Sequence, residues 1–304
     1  CIFGVLIMQL LNTLLIGITA GSIYALMAIA FVLVWRSTRV VNFAQAGQAI
    51  VSTYIAYEVV NRTGSFWLAF LVAILAGALL GAIVDRYFMR PLFKRVASGP
   101  IVAIAPVVAT LGLLGVLRAV VGFIWGVELK PIAAPVSLDG YSLGSEVLPF
   151  APYNALVIVI VAIVLIVLSL LFQKTNLGLS LRASAYSPEI ARLSGVRVNE
   201  IRTLGWAIAG AAGAIAGILA TPTSYLSPNS LDILLVFGFA AAVIGGLESM
   251  VGAVAGGLVL GLGVTFVSNY VSTSLTFPTA FVFLIIILLV RPSGIVSGKR
   301  SRRA

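Results

Sequence analysis

Side chains that ordinarily make and break bonds are scarce in this sequence. It has no histidine, which excludes serine–histidine catalysis, histidine metal sites and imidazole pH sensing within the chain. Its one cysteine, Cys1, allows no internal disulfide. Neither a lysine nor a pair of aspartates falls inside an apolar run, so serine–lysine and paired-aspartate sites are missing too. There is no Gly-x-x-x-x-Gly-Lys-Ser/Thr loop and no Gly-x-Gly-x-x-Gly after a strand, so any nucleotide that powers this protein must sit on another chain. No catalytic residue, cofactor site or metal site is expected.

The residues that stand out are suited to docking and to lining a route. "SPEIARLSGVRVNEIR", Ser187 to Arg202, carries five charged residues in sixteen, in a chain only 9% charged overall. Ser187 suits an N-cap, Pro188 the first helical position, and Glu189 the positive end of the helix dipole. Ile190, Ala191 and Leu193 give a short apolar side, and Gly195 is placed to end the helix. A helix of about two turns is marginal alone in water. It must either rest on its own bundle or dock into a partner's groove.

Inside the apolar runs, Asn42, Gln45 and Gln48 share a helical side at a break after the first run. Side-chain amides there can satisfy freed backbone or line a pathway. Arg118 lies seventeen residues past Ile101 in an apolar run. A charge at that depth is a functional candidate; snorkelling, or pairing with Glu128 about three turns on, is the alternative. No carboxylate is expected beside it. Gln9 and Asn12, three apart, read as interhelical hydrogen-bonding groups. Small residues recur about one turn apart at Gly77 and Gly81, at Gly210, Gly213 and Gly217, and at Gly252, Gly256, Gly257 and Gly261, which reads as close helix packing. Gly245 and Gly246, beside Glu248 at a turn, are the place for a broken gating helix.

Lipid-embedded helices must position these groups. The chain is 61% hydrophobic with a mean hydropathy of +1.16, against about 45–50% apolar residues in a soluble domain. Its apolar runs are far longer than barrel strands, so the expected fold is an all-α polytopic bundle. Apolar segments fall at 6–35, 42–60, 66–84, 101–126, 153–172, 204–220, 233–247, 251–268 and 278–290. That is about nine crossings, within a range of eight to ten. Segments 42–60, 233–247 and 278–290 are short or punctuated enough to be half-helices or re-entrant. The uncharged start, up to Trp35, lacks a basic leader and reads as a first span, not a signal peptide.

The net charge of +10 is spread over short loops, not gathered on one face, so it sets membrane orientation and implies no nucleic-acid partner. Arg86, Arg90, Lys94 and Arg95 form one basic loop. Lys174, Arg182, Arg192, Arg197 and Arg202 form a second, and Arg291, Lys299, Arg300, Arg302 and Arg303 a basic tail. These read as cytoplasmic. Loop 127–152, with Glu128, Asp139 and Glu146 against Lys130 alone, reads as external, as does loop 221–232. With nine crossings the N-terminus lies outside. We expect one transmembrane domain over 1–304, with a loop at 174–203 and a tail at 291–304.

"EIARLSG" resembles the Glu-x-Ala-x-x-x-Gly loop of permease subunits of bacterial ABC importers, with Glu189, Ala191 and Gly195 matching and Ile190 replacing a second Ala. "LLNTLLIGITAGSIYALMAIAFVLVWRSTRVVNFAQAG", "TLGLLGVLRAVVGFIWG" and "GGLESMVGAVAGGLVLG" resemble segments of branched-chain amino acid importer permeases. Gln45 to Gln48 departs from a His-Gly-Glu-like continuation, and Glu248 stands where that family often has Gly. The resemblance implies a non-enzymatic permease subunit of a bacterial plasma membrane importer for branched-chain or related hydrophobic amino acids; urea, amides or aromatic acids are alternative cargo. It further implies a coupling helix at Pro188 to Gly195 seated in an ATPase subunit, and ATP and Mg on two such ATPase partners. An external solute-binding protein and a second, related permease subunit or a second copy would complete the assembly. Asn42, Gln45, Gln48, Arg118, Gly245 and Gly246 are the pathway candidates. An ion-coupled secondary carrier is the rival reading.

Overall fold

The computed structural model describes residues 2–95, 104–143, 146–148, 150–292 and 294–296. Ile101, Lys299, Arg300, Arg302 and Arg303 lie outside the described residues. Helices dominate: α1 (Ile2–Thr38), α2 (Gln45–Thr63), α3 (Phe66–Ile83), a π-helical turn (Val84–Met89), α4 (Arg90–Arg95) and α5 (Ala105–Trp125) come first. An antiparallel hairpin follows, β1 (Tyr141–Leu143) on β2 (Glu146–Leu148), with Tyr141 opposite Leu148. Then come α6 (Pro152–Lys174), α7 (Asn176–Tyr186), α8 (Pro188–Leu193), α9 (Val198–Ala220), α10 (Asp232–Gly245), α11 (Met250–Tyr270) and α12 (Thr276–Val290).

Among the described residues, seven helices are long and apolar enough to cross a membrane. Each of the nine expected segments contains a helix, but two fall short of that standard. α2 has 19 residues and dilutes its apolar content with Gln45, Gln48, Glu58, Asn61 and Arg62. α10 has 14 residues, about 21 Å against a hydrocarbon core of about 30 Å. The last segment is longer than the sequence suggested, because a 3₁₀ turn extends it to Thr273–Val290, 18 residues.

The chain divides into two compact units. One gathers residues 30–133 and 164–235. Its centre is α2, α3 and α9. Gly64, in the left-handed region at φ 69°, closes α2, and Ser65 caps α3 by accepting the Leu68 N–H. Along α3 and α9 the glycines meet backbone to backbone: a Cβ on Gly77 would sit 2.5 Å from Gly210 O and 2.6 Å from Ala214 Cβ. In lipid, where apolar side chains gain nothing by leaving the solvent, such contact is what holds helices together. Trp206 and Tyr54 are the largest fully buried side chains here.

The other unit takes in residues up to 29, 134–163 and from 236 onward. There the α1 residues around Gly21 and Ala25 pack on α11 at Gly257 and Gly261. Phe237 sits between Tyr24 and Phe277, with ring centroids 5.2 and 5.5 Å away. The polar link between α1 and α11 runs from Asn269 Nδ2 to Thr13 Oγ1 (3.1 Å). It does not use Gln9 or Asn12, whose Oδ1 is buried without a hydrogen-bond partner among the described residues. Threonine's short, stiff side chain already bonds its own helix at Gln9 O, which fixes the hydroxyl for its neighbour.

Candidate coupling site and pathway elements

Local chemistry dictates the stretch between α6 and α9. Thr175 caps α7 by accepting the Gly178 N–H. Ser187 then serves two helices: its N–H donates to Ala183 O (3.1 Å), ending α7, and its Oγ accepts the Ile190 N–H (3.4 Å), starting α8. Pro188 occupies the first position of α8, where no donor is needed. At the other end Gly195 turns left-handed, φ 83°. That lets the Val196 N–H reach back to Ala191 O (2.9 Å) in a Schellman closure.

The six residues of α8 divide sharply by exposure. Ala191 is buried at 4%, whereas Ile190 is 63% and Leu193 89% exposed. Glu189 and Arg192 are exposed as well. The apolar residues therefore do not form one side: the small one faces in and anchors the helix, and the two large ones face out.

Immediately after α8, the first turns of α9 meet a buried carboxylate. Asp85, in the π-helical turn after α3, has no exposed side-chain surface. Its Oδ1 accepts from Arg202 Nε (2.9 Å), and its Oδ2 from Arg90 Nε (3.1 Å) and Thr203 Oγ1 (2.6 Å). Arg90 also donates through Nη2 to Asn199 O and Thr203 Oγ1, and the Arg202 guanidinium lies 5.5 Å from the Phe93 ring centroid. Residues five apart on an α-helix point about 140° away from each other; the π-helical winding brings Arg90 over Asp85.

Two turns further along α9 lies the amide segment. Asn42, Gln45 and Gln48 are all fully buried. Asn42 precedes α2 and donates through Nδ2 to Gln45 Oε1 (3.2 Å), while Gln45 Nε2 donates to Ala209 O (2.8 Å) on α9. Gln45 thus binds backbone. Gln48 does not: both its Nε2 and its Oε1 are buried without a hydrogen-bond partner among the described residues. The break itself is held by Thr110, whose Oγ1 accepts the Phe43 N–H (3.3 Å).

Arg118, on α5, pairs with Asp232 Oδ1 at the start of α10. Snorkelling or pairing with Glu128 was expected, with no carboxylate beside the arginine at depth; the partner is Asp232 instead. Asp232 opens α10, 114 residues further along the chain, so sequence spacing could not pair them. In the other unit, Gly245 ends α10, and Gly246, at φ 100°, turns the chain toward α11. Ile295 N–H donates to Ile244 O (2.9 Å) and Val296 N–H to Gly245 O (3.3 Å), so residues after α12 satisfy the last carbonyls of α10. Glu248 lies exposed in that turn.

Comparison with known proteins decides the family. Residues 13–290 match the family described as "Branched-chain amino acid transport system / permease component". The chain belongs to this family. Among its relatives is the "Probable branched-chain amino acid transport permease protein LivH" of Methanocaldococcus jannaschii, 30% identical over 94% of this chain and 93% of the relative. Another is the "High-affinity branched-chain amino acid transport system permease protein BraD" of Pseudomonas aeruginosa, 28% identical over 94% and 95%. In fold it is similar to "PsaBC from Streptococcus pneumoniae in complex with Fab", with a TM-score of 0.51 at 16% identity, over 93% of this chain and 92% of that one. It is a multi-pass membrane permease.

Two features of this permease escaped sequence reasoning. Asp85 is the one acid in a basic loop, where the surrounding charge masks it. The signal was there: an isolated acid at the end of an apolar run, followed by Arg86 and Arg90, is a pairing candidate. Asp232 was visible as an acid opening an apolar segment, but its partner was not.

Proposed function

We propose that this chain is the transmembrane permease subunit of an ATP-driven importer moving branched-chain or related hydrophobic amino acids across the plasma membrane. The observation that carries the reading is α8: a capped, six-residue helix that anchors one small side chain and presents Ile190 and Leu193 outward. An isolated helix this short gains little from its own hydrogen bonds, and two large exposed apolar side chains at its end of the chain suit a cleft in a partner. The relatives' names supply the cargo class. ATP and Mg belong to two ATPase subunits, a solute-binding protein delivers cargo outside, and a second permease subunit completes the route.

In this reading Pro188, Glu189, Ala191, Leu193 and Gly195 form the coupling element, and loop 174–203 and the tail from Arg291 are cytoplasmic. Asn42, Gln45, Gln48, Arg118, Gly245 and Gly246 serve the pathway. Nine segments with an external N-terminus remain the proposed threading; α2 and α10 are the short or polar members. ATP-driven closure of the ATPases displaces α8, and each state is favoured by its differential affinity for ATP and loaded binding protein.

The Arg118–Asp232 pair favours a second reading, an ion-coupled carrier, since ionisable pairs at depth also mark such routes. Proteoliposomes containing the complete complex, and others containing this chain alone, separate the two. Uptake that requires ATP and ignores sodium and proton gradients supports the importer; gradient-driven uptake by this chain alone refutes it. The orientation is checked with Ser194→Cys in a Cys1→Ser background: an impermeant maleimide should label it only after the membrane is opened.

A further inference from the structure

We infer that Asp85 is the clasp through which movement of α8 is delivered to α3, a positioning residue that locks the first turns of α9 onto the base of α3; this rests on the coupling reading above. α8 itself is lightly anchored, with Ala191 its one buried side chain. Residues 194–197 lead directly into α9, and three of the first six residues of α9, Asn199, Arg202 and Thr203, are tied to Asp85 or Arg90. On its C-terminal side, load on α8 therefore reaches these bonds within the first two turns of α9.

The chemistry suits a joint that must not slip. Both oxygens of a fully buried carboxylate are occupied, by two guanidinium groups and a hydroxyl. Such charge-assisted hydrogen bonds are directional, so they resist shear that smooth apolar packing would allow. The π-helical turn is part of the device, because it places Arg90 on the same carboxylate as Arg202. Beyond the clasp, the Gly81–Trp206 and Gly77–Gly210 contacts run backbone to backbone, so α3 and α9 move as one body. The output of the lever is that pair of helices.

The test uses the complete transporter in proteoliposomes and reads solute moved per ATP hydrolysed by assembled complex. A role confined to folding lowers the amount of complex and leaves this ratio alone. Asp85→Asn should lower the ratio about tenfold, and Thr203→Val, which leaves no charge unpaired, about threefold. If Asp85→Asn fails to assemble, Thr203→Val decides. A normal ratio in Thr203→Val or in an assembled Asp85→Asn overturns the clasp. Leu193→Asp distinguishes this from failure of the coupling reading: a normal ratio there as well shows that α8 is not the input.

Discussion

The end of α8 offers a substitution whose cost separates cleanly into backbone and side-chain parts. At Gly195, φ is 83°, and a Cβ built there meets nothing within 4 Å. Gly195→Ala therefore creates no clash, and its whole penalty is that of an L-residue in the left-handed region, about 1–2 kcal/mol. The closure it weakens is the Val196 N–H to Ala191 O bond, 2.9 Å. A loss of about 1–2 kcal/mol changes the closed-to-open ratio about 5- to 30-fold, so the Val196 amide should exchange faster by that factor in the permease in nanodiscs. Gly195→Asn should recover much of the loss, because Asn tolerates this conformation. Gly195→Pro should be the worst of the three, since the ring fixes φ near about −65° and removes the N–H that donates to Arg192 O. It should leave the bundle inserted and uncouple ATP hydrolysis from uptake. Unchanged exchange at Val196 in the Ala variant, or an Asn variant worse than Ala, refutes the account, because the cost would then not lie in the backbone.

Glycine packing gives a paired expectation: Gly77→Ala, facing Gly210 O at 2.5 Å, should destabilise the purified permease by about 1–3 kcal/mol through overpacking. Gly112→Ala, with nothing within 4 Å of its Cβ, should be neutral or stabilise by about 0.5–1 kcal/mol from helix propensity; thermal unfolding in one detergent compares them, and equal shifts would remove the close-approach explanation. Gln48→Leu removes two buried, unpartnered polar atoms and should stabilise by about 1–3 kcal/mol. If Gln48 serves the route, uptake falls while thermal stability rises; a fall in both would mean that its amide has a structural partner.

What the sequence disclosed follows from how local each signal is. The caps of α8 were legible because Ser187, Pro188 and Gly195 act on backbone within a few residues of themselves. The glycine clusters were legible as packing surfaces because lipid leaves little else to drive helix association, but the facing partners Gly77 and Gly210 are 133 residues apart and no periodicity links them. The division of Ile190 and Leu193 from Ala191 was hidden for a related reason: on so short a helix, composition gives an apolar content and the neighbours decide which face is covered. The same limit misassigned Arg118, whose nearest acid in sequence is on its own side of the chain and whose partner in space is Asp232.

α9 connects what these separate signals describe. Along one helix it carries, in order, the exit from α8, the Asp85 bonds at Arg202 and Thr203, the Gln45 bond at Ala209, and the Gly210 contact with Gly77 of α3. Thr203 and Ala209 are six residues apart, about 9 Å of helix rise. A displacement imposed at its start therefore reaches the buried amides of α2 with little intervening compliance. Gln45 is held to α9 backbone, whereas Gln48, three residues on, has both amide atoms free of bonds among the described residues. An amide pair in which one member grips α9 and the other is unspent is what a shift of α9 would act on: Gln45 would follow the helix, and Gln48 would be the polar group left to exchange partners.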